Sequence, residues 1–373
     1  MRRLTVVQLL PALDAGGVER STLEIADALV RAGHRAIVVS AGGRLLPALR
    51  AIGAQHVPMA IGQKSLLTLR HLPALRRVFA QADIVHARSR LPAWLGWLAL
   101  RGLPAGQRPR FVTTVHGLNS PSRYSAIMAR GEQVICVSET VRAHVLQHYP
   151  HTDPARLQVI ARGIDPAAFP RAPWPDRAAR ARVAALHPQL GGTGPLLLLP
   201  GRGTRLKGHA DAVALLARLR ADGVDARLWL PGARQAGRET YLRELEQLAL
   251  QAGVGEAVVF SAATDAMAEA YAACDLVLQL SRQPEAFGRT VIEALAVGRP
   301  VLGWAHGGVG ELLAELQPAG AVPPFDLDAL QQRAQAWPAL PPALPVTMPC
   351  TLEAMQQATL TLYQRIAQRP ASA

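Results

Sequence analysis

The chain has 373 residues, half of them hydrophobic and only 18% charged, a composition too apolar for intrinsic disorder or a coiled coil. At roughly 100–200 residues per domain, the length predicts two or three domains, each able to bury its own core. Forty lysines and arginines against 27 acids leave a net charge of +13, a field that draws phosphorylated substrates, nucleic acid or acidic lipid. Lys64 and Lys207 are the only lysines among those 40, so the arginine excess reads as coding bias rather than as a basic patch.

Short apolar runs alternate with amphipathic stretches from the start, the pattern of parallel strands joined by crossover helices. Residues 4–10 read as a buried strand, Gly16-Gly17 as a turn, 18–32 as a helix ended by Gly33, and 35–40 as the next strand. Asp14 and Glu19 stand where a secretory leader would need a cleavage site, so no export is expected. Further strands are expected at 83–86, 111–116 and 133–137. Between them, the uncharged stretch 91–100 is about half of the roughly 20 residues a membrane span needs and reads as a buried helix. Cys136, Cys274 and Cys350 are scattered with no CxxC, which supports neither a zinc site nor a disulfide framework and fits a reducing compartment.

Proline, arginine and alanine then dominate, and the Gly191-Gly192-Thr193-Gly194 run closes an expected linker. Strands resume at 196–199, 226–230, 257–260, 276–280 and 300–303. A proline-rich passage at 338–349 leads into a last helix at about 352–367, placed to return to the first domain. The expected division is therefore 1–170, a linker at 171–194, a second domain at 195–350, and 351–373 as the returning helix.

In open α/β sheets ligands sit at the carboxyl ends of strands. The first strand-helix turn lacks GxGxxG, which argues against a dinucleotide, but Gly16 and Gly17 leave backbone N–H groups free for an anion or form a plain tight turn. After the 196–199 strand comes Gly201-Arg202-Gly203-Thr204-Arg205-Leu206-Lys207-Gly208. Arg202 and Lys207 suit a diphosphate, the one as a fork and the other as a point charge, unless the loop is only a solvated one. In Pro284-Glu285-Ala286-Phe287-Gly288-Arg289, Gly288 marks the start of a helix that carries Glu293 on an apolar face. An unpartnered carboxylate there is costly, so Glu293 needs either ligand hydroxyls or a salt bridge to Arg289 or Arg299.

The segment from Glu285 to Glu293, followed by Gly298-Arg299-Pro300 and Gly307-Gly308, resembles the donor site of family 4 retaining glycosyltransferases of GT-B fold. Gly16-Gly17-Val18-Glu19-Arg20, Val137-Ser138-Glu139, Gly163-Ile164-Asp165 and Gly201-Arg202 with Lys207-Gly208 occur in that family's order. The resemblance implies two doubly wound, Rossmann-like α/β domains facing a cleft. It implies a hexosyltransferase that takes a nucleotide-diphosphate sugar as co-substrate, with no cofactor and no metal. Catalytic roles fall to His116, Lys207, Arg202 and Glu285. Donor binding falls to Gly16, Gly17, Arg202, Lys207, Glu285, Ala286, Phe287, Gly288 and Glu293, with Glu293 on the ribose. The expected acceptor is a glycan or glycolipid of bacterial lipopolysaccharide or surface polysaccharide, met in the cytoplasm or at the inner, anionic face of its membrane, with no nucleic acid partner. An epimerase or hydrolase of the same fold, or a non-catalytic binder of nucleotide sugars, is the alternative. Arg162 stands where the family often has asparagine, a change expected to touch nothing catalytic, and residues 313–318 depart from the family's glycine-containing segment. Asp326-Leu327-Asp328 precedes a helix and reads as an N-cap instead of a manganese site.

Overall fold

The computed structural model describes residues 2–14, 16–337, 345 and 347–368. The chain divides into two units, one ending at Gly163 and rejoined from Leu352 onward, the other running Ile164–Thr351.

The first unit is a seven-stranded parallel sheet in the order β3-β2-β1-β4-β5-β6-β7. Its strands are β1 (Thr5–Leu9), β2 (Arg35–Ser40), β3 (Gln55–Pro58), β4 (Ile84–Ala87), β5 (Arg110–Val115), β6 (Gln133–Cys136) and β7 (Leu157–Val159). Its helices are α1 (Gly17–Arg31), α2 (Leu46–Ala51), α3 (Leu72–Phe79), α4 (Arg90–Arg101) and α5 (Glu139–His148). β1, β4 and β6 are buried along nearly their whole length, polar Gln8, His86 and Gln133 included, because a parallel sheet is covered on both faces. The 91–100 stretch is α4, with Pro92, Ala93, Leu95, Gly96, Ala99 and Leu100 buried, as expected of a core helix. The expectation passes over β3 and β7, which are only four and three residues long and interrupted by polar side chains, so that they read as loop.

The second unit is a six-stranded parallel sheet in the order β10-β9-β8-β11-β12-β13. The strands are β8 (Leu196–Leu198), β9 (Arg227–Pro231), β10 (Val258–Ser261), β11 (Leu276–Gln279), β12 (Val301–Trp304) and β13 (Ala321–Val322). Around them run α6 (Arg177–Leu186), α7 (His209–Ala221), α8 (Glu239–Gln251), α9 (Met267–Ala273), α10 (Arg289–Val297), α11 (Gly307–Leu316) and α12 (Leu327–Ala336).

Two boundaries correct the sequence reading. The division falls after Gly163 and not at 170, and residues 171–194 belong to the second unit. In place of a linker they carry α6, capped by Asp176 and packed on α9. Arg299 fixes this segment: fully buried, it donates to the carbonyls of Pro173 at 2.5 Å and Ala272 at 2.7 Å. Prolines hid the helix because they cluster just before it. Most of the proline-rich passage at 338–349 lies outside the described residues.

The last helix, α13 (Leu352–Ala367), packs on α1 and completes the first unit's core through Met355, Leu362, Tyr363 and Ile366. Gln356 accepts from Arg31 at 2.8 Å and donates to the Glu24 carbonyl at 2.7 Å, while the Tyr363 hydroxyl meets His86 Nδ1 at 2.6 Å. Because Leu362 of α13 lies in that core, 1% exposed, Leu362→Ala should cost about 2–5 kcal/mol in urea unfolding.

Candidate functional site

The order of the second sheet reverses between β8 and β11, and the loops leaving those strands part there. Both loops carry residues singled out from sequence. The first, 199–208, folds back on its neighbours: Gly203 N donates to Gly232 O at 3.1 Å, and a Cβ at Gly203 would lie 2.2 Å from Ala233 O. Gly208 has φ +74° and would place a Cβ 1.9 Å from Leu280 O, so only glycine fits against the second loop. Arg282 N donates to Leu206 O at 2.8 Å and ties the two loops together.

This contact brings Lys207 and Glu285 together. Lys207 Nζ lies 2.5 Å from Glu285 Oε1, and the Ser281 hydroxyl donates to the same oxygen at 2.5 Å. Both charged side chains remain about a quarter exposed. Arg202 is exposed, and its guanidinium makes no hydrogen bond or ion pair among the described residues. Beneath Glu285 the chain uses the Gly307-Gly308 pair. Gly308 N donates to Glu285 O at 2.7 Å, and a Cβ on Gly308 would meet Phe287 O at 2.5 Å. The segment through Ala286 and buried Phe287 therefore lies directly on the start of α11 and turns at Gly288, φ +112°, into α10.

Glu293, on α10, is 12% exposed and held separately: Tyr271 donates its hydroxyl to Oε2 at 3.0 Å and Arg289 its Nε to Oε1 at 3.3 Å. Burial beside Glu293 pushes the Tyr271 phenol well up, so it remains a donor. Of the two arginines considered, Arg289 is the partner; Arg299 is committed to carbonyls. Asp326 caps α12 by accepting from Ala329 N at 2.9 Å, and Asp328 pairs with Arg218. Among the described residues no cluster of histidine, cysteine or carboxylate side chains is arranged to hold a metal ion. The unusual 313–318 segment continues α11 to Leu316, after which Gln317 bonds both the N–H and the carbonyl of Val301 at 3.0 Å.

In the first unit Gly16, φ +150°, precedes α1, and a Cβ on Gly17 would meet nothing within 4 Å, so the turn is open to solvent. His116 follows β5. Arg162 Nη2 contacts its Nδ1 at 2.6 Å. A guanidinium only donates, so Nδ1 accepts and the imidazole proton sits on Nε2, which is buried and has no hydrogen-bond partner among the described residues. Burial and then Arg162 hold His116 well below its ordinary pKa, hence neutral. The change at Arg162 therefore bears on His116, one of the residues singled out from sequence, through a contact the sequence did not indicate. His116, Arg162, Thr114, Ser21 and the buried His86 and Arg88 line a cavity of about 20 Å³, the size of one water. Arg88 donates to Gln8 at 2.7 Å and Ser21 at 3.1 Å where the first sheet reverses order, between β1 and β4. Its place directly after a switch-point strand was the signal that could have found it; Tyr271 and Ser281 carried none.

Residues 15–168 match the family description Glycosyltransferase Family 4, and residues 187–342 match Glycosyl transferases group 1. A D-inositol 3-phosphate glycosyltransferase of Xylanimonas cellulosilytica is 30% identical over 79% of this chain and 77% of its own length. One of the same name from Stackebrandtia nassauensis is 29% identical over 62% of this chain, and the match spans only 55% of that protein. Among solved structures, a glycosyltransferase from Rickettsia africae superposes with a TM-score of 0.86 at 27% identity, covering 99% of this chain and all of the other. Anabaena HepE in complex with UDP-glucose gives 0.75 at 19% identity over 98% and 99%, a likeness of fold. No helix among the described residues is long and apolar enough to cross a membrane.

Burial lowers the pKa of His209, at the start of α7, from 6.5 to about 4. The unfolded chain then binds a proton that the folded chain refuses, so this contribution to stability is intact above about pH 6.5 and falls away toward pH 4. Between pH 7 and 5 the loss should be about 2 kcal/mol. Urea unfolding at the two values should show it, with His209→Gln flattening the slope by about one proton.

Proposed function

We propose, because this chain belongs to the family 4 glycosyltransferases, that it moves a hexose from a nucleotide-diphosphate sugar to a hydroxyl of an anionic glycan or glycolipid, with retention at the anomeric carbon. The observation that carries the reading is the Lys207–Glu285 pair at the switch point of the second sheet. Without ligand the two side chains neutralise each other. A donor replaces each partner: the diphosphate takes Lys207, and the sugar hydroxyls take Glu285, which Ser281 keeps in place.

Arg202 adds a second cation and Glu293, oriented by Tyr271, accepts from the ribose hydroxyls. Two cations and the N-terminus of α7 can offset the diphosphate charge without a metal ion. Retention follows from attack by the acceptor on the face the diphosphate leaves, since Glu285 is assigned to hydroxyls and no other nucleophile is assigned. Charge grows on the leaving phosphate as the glycosidic bond breaks, and Lys207 stabilises that state more than the ground state. The inositol phosphate named for the relatives and the lipopolysaccharide intermediates expected from sequence share a hydroxyl on an anionic molecule, and that shared chemistry is the acceptor proposed, met in the cytoplasm or at the inner face of its membrane.

Steady-state kinetics with a nucleotide sugar and its acceptor separate the roles. Lys207→Ala should lower kcat by about 10²–10³ with little change in donor KM. Glu293→Ala should chiefly raise that KM, because ribose is held equally in ground and transition states. Chelation should leave the rate within about twofold, and NMR of the product should show the donor's own anomeric configuration. Inversion, turnover of donor without acceptor, or a near-normal kcat for Lys207→Ala would refute the assignment.

A further inference from the structure

The net charge is not spread over the chain. Between Ala28 and Gly131 lie fifteen lysines and arginines and a single acid, Asp83, whereas the rest of the sequence holds 25 basic residues and 26 acidic ones. All of the excess therefore belongs to one stretch of the first unit, and coding bias, which would act on the whole sequence, does not account for it.

Inside this stretch an ordered turn presents apolar side chains to water. Residues Leu66–His71 form a 3₁₀ segment whose start is capped by Ser65, which accepts from Leu67 N at 3.2 Å. Thr68 points inward, 4% exposed, and donates to Gln63 O at 2.8 Å. Locking Thr68 inward turns its neighbours outward: Leu66 is 86% exposed, Leu67 71% and Leu69 43%. Three of the nine large exposed hydrophobic residues among those described thus fall within four positions. Lys64, Arg70 and Arg77, all exposed, flank them.

We propose that this turn docks the protein on an anionic lipid bilayer, with Leu66, Leu67 and Leu69 in the acyl boundary and Lys64, Arg70 and Arg77 against headgroups. Apolar tips ringed by one sign of charge match such a surface on both counts. Nucleic acid would use the charge but has no use for leucines, and stacking needs aromatic rings. The nearby aromatic cluster on α4 is already covered by the protein's own cations, with Arg101 4.7 Å and Arg130 5.3 Å from the Trp97 ring centroid. Docking rests on the reading of an anionic acceptor only in placing the enzyme where a lipid-linked one would be found.

Vesicle sedimentation of the full chain, without donor or acceptor, tests this independently of the transferase activity. Partition onto vesicles containing about one-third phosphatidylglycerol should exceed that onto pure phosphatidylcholine by at least roughly tenfold, and high salt should reverse it. Leu66→Ser with Leu67→Ser should reduce binding by roughly tenfold. Lys64→Gln with Arg70→Gln and Arg77→Gln should reduce it by about a hundredfold. Leu186→Ser with Leu250→Ser, which removes two leucines equally exposed on the second unit, should leave it unchanged, and all variants should melt as the parent does. Equal binding to neutral and anionic vesicles, full binding by the leucine variant, or binding to another protein with none to vesicles would overturn the proposal.

Discussion

A lysine and a glutamate seventy-eight positions apart, Lys207 and Glu285, meet only because two loops leave adjacent strands in opposite directions. Everything around them serves that meeting. Gly208 lets one loop approach Leu280, the bond from Arg282 N to Leu206 O ties the loops, and Gly307-Gly308 gives the Glu285 segment a floor. A side chain at Gly208, Gly307 or Gly308 would overlap backbone atoms, which cannot rotate away as side-chain ends do. The pair therefore stands on backbone geometry, and each half neutralises the charge of the other.

Glu293 obeys a different logic. It sits in a helix, nearly buried, and its cost is met by a hydroxyl that burial keeps protonated and by a cation one turn before it. Glu285 is paired with a partly exposed lysine, Glu293 with a buried hydroxyl and an arginine of its own helix.

The fold was largely legible because parallel strands covered on both faces become apolar runs, and the loops after them could be located by counting. Lys207 and Glu285 were legible as types of residue in the right kind of loop, but their pairing was not, since it depends on strand order and no local pattern records it. The contact of Arg162 was hidden for the same reason: it follows β7 and reaches His116 after β5, and sequence proximity gives no hint of that. The helix in the expected linker was hidden by composition, because proline marks the turn before a helix as readily as a chain without structure. The charge asymmetry needed no structure, only a count by segment in place of a total.

Lys207, freed by the donor from its pairing with Glu285, is expected to form a diphosphate site together with the unpaired Arg202. Calorimetric titration of the chain with UDP, GDP and ADP and with the matching monophosphates tests it most directly. At least one diphosphate should bind about tenfold or more tightly than its monophosphate, the worth of one added charge-assisted contact, and Lys207→Ala should erase the difference. Equal affinity for the two, or a difference that survives in the Lys207→Ala protein, would contradict it.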